Sequence, residues 1–140
     1  MHMNGAAEAQ KNWSNICESV ARIRPCVIKC TYDHLYLASR DSMISLLADI
    51  KYRVSILLED DHTFTAYTEG MDLAVNAATK EEALLRLAAA ILDYAAEYFD
   101  DYPQYSIAPN RRSHLPFITK AFLLDDADEI REKMLSIIIY

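Results

Sequence analysis

Along the chain, the spacing of apolar positions changes several times, and each change marks an element. Over residues 5–23, Ala6, Ala9, Trp13, Ile16, Cys17 and Val20 recur at helical spacing while Lys11, Asn15, Glu18 and Arg22 fall off the stripe, which predicts one amphipathic helix. Arg24-Pro25 ends it, because the residue before a proline is pushed out of the α region. The runs 26–31 (CVIKCT) and 34–38 (HLYLA), with Tyr32-Asp33 between them, predict a compact hairpin. Ser39 suits the N-cap of a following helix, whose apolar side would carry Met43, Leu46, Leu47 and Ile50. The period then becomes two. Tyr52, Val54, Ile56 and Leu58 share one face of a strand, Glu59-Asp60-Asp61-His62 turns the chain, residues 63–68 return, Gly70 breaks the run, and residues 73–77 make a short third strand.

The longest periodic stretch runs from Thr79 to Tyr102. Thr79 with Glu82 three residues on has capping-box spacing, Glu81 and Glu82 suit the first turn, and Pro103 closes the segment. Only Glu82, Arg86, Asp93 and Glu97 form a polar stripe, so this helix needs cover on more than one side. The strands of 51–77 would supply one side. Beyond it, Pro109-Asn110-Arg111-Arg112 opens a helix that Pro116 interrupts or restarts, with Phe117, Ala121, Phe122 and Leu124 on its apolar side. Asp126 and Glu129 then open a last helix carrying Ile130, Met134, Leu135, Ile137 and Ile138. The apolar end, Ile137, Ile138, Ile139 and Tyr140, must dock, either on the long helix or on another chain.

Composition narrows the class. The 140 residues are 52% hydrophobic with 2 Gly and 4 Pro, as expected of a globular protein with little linker. No apolar run reaches membrane-spanning length, and the N-terminus lacks the apolar core of a signal peptide, so a cytoplasmic protein is expected. Cys17, Cys26 and Cys30 are read as reduced, buried side chains. The net charge of −7 is uneven: residues 1–51 hold six Lys/Arg and five acids (+1), whereas 52–140 hold eight and sixteen (−8). An acidic C-terminal part suits a basic partner.

No catalytic set, metal-ligand spacing or phosphate-binding glycine loop is present, so neither enzyme nor cofactor is expected. Asp60-Asp61-His62 occupies a hairpin turn. Arg111, Arg112 and His114 make a small basic patch that would bind an anion or pair with the chain's own acids.

The first 50 residues carry a family likeness. Ala6-Ala7-Glu8-Ala9-Gln10-Lys11-Asn12-Trp13-Ser14 resembles the opening helix of Phd/YefM-type antitoxins, and Pro25-Cys26-Val27-Ile28-Lys29 followed by Leu35-Tyr36-Leu37-Ala38-Ser39 resembles their hairpin. Residues 52–99, with Ala78-Thr79-Lys80-Glu81-Glu82-Ala83, resemble the HicB-type antitoxin module. The whole chain is most similar to Phd-like antitoxins of RelE/RelB-type toxin–antitoxin systems. That resemblance implies a bacterial cytoplasmic homodimer that binds operator DNA through its N-terminal unit, where Lys11, Arg22 and Arg24 are the nearby cations, and a cognate toxin, commonly a basic ribonuclease, through its C-terminal part. Arg111, Arg112 and Ile137 to Tyr140 are the expected toxin contacts. Gln10 replaces the family's arginine, and the chain begins so near its first helix that the family's leading strand and basic arm are mostly missing. The alternative is a non-catalytic interaction module that kept the fold without DNA or toxin binding.

The expected architecture is therefore α+β: helix–hairpin–helix over 1–50, a three-stranded antiparallel sheet on a long helix over 51–103, and two helices over 104–140.

Overall fold

The computed structural model describes residues 3–138 and is α+β, with two compact units whose boundary falls between Leu46 and Leu47. In the first unit, β1 (Met3–Gly5) pairs parallel with β2 (Cys26–Lys29), and β2 pairs antiparallel with β3 (His34–Leu37). The leading strand is thus present, though only three residues long. The single helix expected over 5–23 is two, α1 (Ala6–Lys11) and α2 (Trp13–Arg22). Asn12 lies between them with φ −111° and ψ 25°, and its side-chain amide donates to the Glu8 carbonyl. An asparagine that bonds its own backbone competes with the helical ladder, and here it splits the helix. The split also divides the apolar stripe. Ala9, Ile16 and Val20 are buried with Cys26 and Ile28, against half-buried Leu37, whereas Ala6, Trp13 and Cys17 are exposed. The cysteines are free, but only Cys26 is buried. Ser39 does receive the Ser42 N–H at the start of α3 (Arg40–Leu46), yet that helix buries no residue and Leu46 is 69% exposed.

The second unit contains a four-stranded sheet rather than three strands, in the order β6-β5-β4-β7. β4 (Tyr52–Leu58), β5 (Phe64–Thr68) and β6 (Ala74–Ala77) form the expected antiparallel meander. The β4–β5 turn is polar as expected, with His62 in the left-handed region at φ 68° and the Asp61 carboxylate accepting from the Thr63 N–H. That bond and the one from the Thr63 hydroxyl hold the Asp61 carboxyl below its usual range.

α4 (Lys80–Asp100) is the long helix, about 32 Å at 1.5 Å per residue. The Thr79 hydroxyl accepts from the Glu82 N–H at 3.1 Å. The Glu82 carboxylate does not complete the capping box; it accepts from Arg86, which also donates to the Asn76 carbonyl and so ties α4 to β6. A short helical turn, α5 (Tyr102–Tyr105), follows. Residues 109–112 do not open a helix as expected. They form a turn and a 3-10 segment (Arg112–His114), and α6 (Leu115–Leu124) begins only there, with Pro116 in its first turn where no donor is required. Asp125, left-handed at φ 51°, ends α6, and Asp126 caps α7 (Ala127–Met134). α4 packs against β5, β6, α6 and α7, which gives it the two-sided cover its composition demands. Leu84, Leu87, Ile91 and Tyr98 of α4, Ile118 of α6, and Ile130 and Met134 of α7 are fully buried.

The last helix stops earlier than expected. Leu135–Ile138 is a strand, β7, parallel to β4 with Tyr52 opposite Leu135 and Val54 opposite Ile137. β-branched isoleucines favour the pleated, half-buried surface that β4 offers. Ile137 and Ile138 thus dock on the chain's own sheet and not on the long helix. Lys120, 2% exposed within α6, donates to the carbonyls of Ile50 (2.9 Å) and Ala48 (3.3 Å), holding the segment that enters β4. Burial lowers its pKa.

Candidate functional site

Lys11 ends α1, Arg22 ends α2 and Arg24 lies just beyond α2; all three are exposed. Arg22 pairs with Glu18 one turn earlier. Cations at helix C-termini also complement the helix dipole.

The C-terminal set divides between two places. Arg111 enters a cleft, Arg112 is exposed on the 3-10 segment, and Ile137 and Ile138 lie on opposite faces of edge strand β7. Ile139 and Tyr140 lie outside the described residues.

One sheet face is apolar at its centre. Alternation places Tyr52, Val54 and Ile56 toward the core and Arg53, Ser55 and Leu57 on the opposite face. There Tyr67 stands opposite Ser55 and next to Leu57, with Ile138 on the other flank. Leu57 is 52% exposed and Tyr67 40%. Around them lie polar contacts: Arg53 with Glu69 at 3.6 Å, Thr65 with Glu59 at 2.8 Å and Asn76 with Thr65 at 3.1 Å. An apolar centre inside a polar rim is the anatomy of a protein-binding surface. Sequence reasoning missed this face, although the period-two pattern of β4 carried the signal in Leu57.

A cleft of about 280 Å³ opens between the Gly70–Leu73 loop, the side of α4 bearing Tyr94 and Glu97, and Asn110–His114. Gly70, at φ 79°, adopts the left-handed backbone that lets the loop turn. The Tyr94 hydroxyl lies 2.9 Å from His114 Nδ1 and receives an Arg111 N–H at 3.3 Å. The Arg111 guanidinium stacks over Tyr105, 4.4 Å from the ring centre, and Tyr105 donates its hydroxyl to Glu97 at 2.8 Å. Tyr98, fully buried, donates its hydroxyl to the Arg111 carbonyl at 3.1 Å. Burial lowers the His114 pKa, the charge of Arg111 adds to the lowering, and Asp72 opposes it. Among the described residues, Arg111 of the basic patch forms no ion pair with the chain's own acids. The tyrosines that organise it were legible only as helix-spaced aromatics.

Among the described residues, no three His, Cys, Asp or Glu side chains gather as a metal set, and no helix is long and apolar enough to cross a membrane.

No curated protein matches the chain. Among solved structures, it is similar over 99% of its length, with a TM-score of 0.87 and 29% identity, to the whole of a chain from Syntrophomonas wolfei subsp. wolfei described as the antitoxin part of a candidate toxin/antitoxin system. Residues 1–136 match the model of a PHD-like family described as antitoxin of toxin–antitoxin, RelE/RelB, TA system. The chain belongs to this PHD-like family of antitoxins from RelE/RelB-type toxin–antitoxin systems.

Proposed function

We propose that the protein neutralises its cognate toxin by binding it directly through the second unit, in the cytoplasm and without catalysis. The sheet face around Leu57 and Tyr67 carries this reading, because it sets exposed apolar side chains within a region of net charge −8. Such a surface suits a small basic protein, the chemistry expected of a ribonuclease toxin: apolar burial supplies affinity and opposite charge speeds encounter. Ile138, opposite Ser55, extends the face to the sheet edge.

The first unit is the dimerisation element in this proposal. Trp13 and Leu35 line an apolar groove of about 440 Å³ with Ala6, Ala9 and Ile28, a surface that a second copy would cover. Lys11, Arg22 and Arg24, repeated by a two-fold, would supply the phosphate contacts for operator binding.

Co-expression with the product of the neighbouring gene tests the central claim. A stable complex is expected, and Leu57→Arg combined with Tyr67→Ala should weaken it by about 100-fold or more, the scale of central interface residues, without altering thermal unfolding. If nothing co-purifies, the proposal fails. Operator binding is tested separately, by gel shift on the operon's own promoter across a salt series; absence of a sequence-preferring shift at low salt removes autoregulation.

A further inference from the structure

The cleft beside α4 has a hydrogen-bonding order that can be worked out atom by atom. A guanidinium only donates, so the Tyr94 oxygen accepts from Arg111 and its hydroxyl proton stays available to His114 Nδ1. Burial and the charge of Arg111 lower the His114 pKa, which favours the neutral ring that accepts this hydrogen bond. Arg111 uses one N–H on Tyr94 and sits over the Tyr105 ring, yet it forms no ion pair among the described residues. A stacked guanidinium is held rigidly, and its unused N–H groups form a fork that matches a carboxylate in two places.

The charges around that fork choose the ligand. Asp72 and Glu97 line the same cleft, so one cation faces two carboxylates. Glu97 is occupied by the Tyr105 hydroxyl, and Asp72 is exposed. A doubly charged phosphate would meet both carboxylates, while a simple cation would meet Arg111 at the wall. A ligand bearing both signs satisfies every group. The cleft, about 280 Å³, has room for a small head group.

We propose that this cleft binds an ampholyte, with a carboxylate seated on the Arg111 fork and a cationic nitrogen beside Asp72. Two sources offer that chemistry: a free α-amino acid, or adjacent acidic and basic side chains on a segment of a protein.

The test is titration of the full-length protein, following the His114 ring resonances by NMR, with His114→Gln identifying them among the four histidines. Glycine, capped acetyl-Lys-Glu-amide, acetate, ethylammonium and inorganic phosphate are the probes. A saturable shift is expected for glycine or for the peptide, at about tenfold or more lower concentration than for acetate or ethylammonium, the worth of one added charge-assisted contact. Tighter binding of glycine assigns the free amino acid; tighter binding of the peptide assigns the protein segment. Arg111→Lys keeps the charge but loses the fork, and should weaken binding about tenfold. Exposed Asp72→Asn, which leaves the fold intact, should bring ampholyte and acetate to similar affinity. No saturable shift with any probe, or phosphate or acetate binding as tightly as the ampholytes, overturns the proposal.

Discussion

The two units bury their apolar side chains very differently. In the first, Ala9, Ile16, Val20, Cys26 and Ile28 form the core, and none falls below 4% exposure. In the second, Leu87, Ile91, Tyr98, Ile118, Ile130 and Met134 are all at 0%. The first also leaves Trp13, Tyr32, Leu35 and Tyr36 half exposed or more. Apolar area removed from water contributes roughly 25 cal/mol per Å², and a small unit has little to remove. The second unit therefore has the larger core, whereas the first leaves apolar area that the proposed second copy would cover.

The sharpest way to break this contrast is Ile91→Asp. An unpaired carboxylate there costs several kcal/mol, and the variant should lose cooperative unfolding by far-UV circular dichroism; a soluble, cooperatively unfolding variant would mean that α4 is not the centre of the larger core. Next in size is Ile28→Ala, at about 2–4 kcal/mol. Because Trp13 is the only tryptophan and lies in the first unit, its emission should change at lower denaturant while the helical signal of α4 persists. Coincident transitions would show that the units unfold together. Thr79→Ala removes the cap on α4 and should cost about 1 kcal/mol, read as a shift of the second transition alone. The smallest effect belongs to Tyr52→Phe. The Tyr52 ring packs 4.9 Å from Phe117, but its buried hydroxyl has no partner among the described residues. Removing it should leave stability within about 0.5 kcal/mol or raise it; a loss above 2 kcal/mol would show that the hydroxyl is bonded.

What could be read from the sequence followed the range of the signal. The start of α4 was legible because its cap, Thr79, is a local signal; its end falls at Asp100, ahead of Pro103, which sits in the first turn of α5. The break at Asn12 was local too, but Ala9, Trp13 and Ile16 kept helical spacing across it and concealed it. Strand β7 was illegible for another reason. Leu135, Ile137 and Ile138 fit a helical stripe as well as a strand, and the partner that decides between them is β4, far away in the chain. The cleft was half visible. Arg111 and His114 stood together as a basic patch, but only the packing of α4 brings up Tyr94, 17 residues from Arg111. No pattern in the chain marked Asp72 as its counter-charge.

The pairing of β4 with β7 also sets a timetable. Leu135 leaves the ribosome 83 residues after Tyr52, its partner across the ladder. At 5–20 residues per second that is a wait of about 4–17 s, during which one edge of β4 has no neighbour from its own chain. An unpaired edge invites foreign strands, so this edge of β4 stays open to mispairing until β7 arrives.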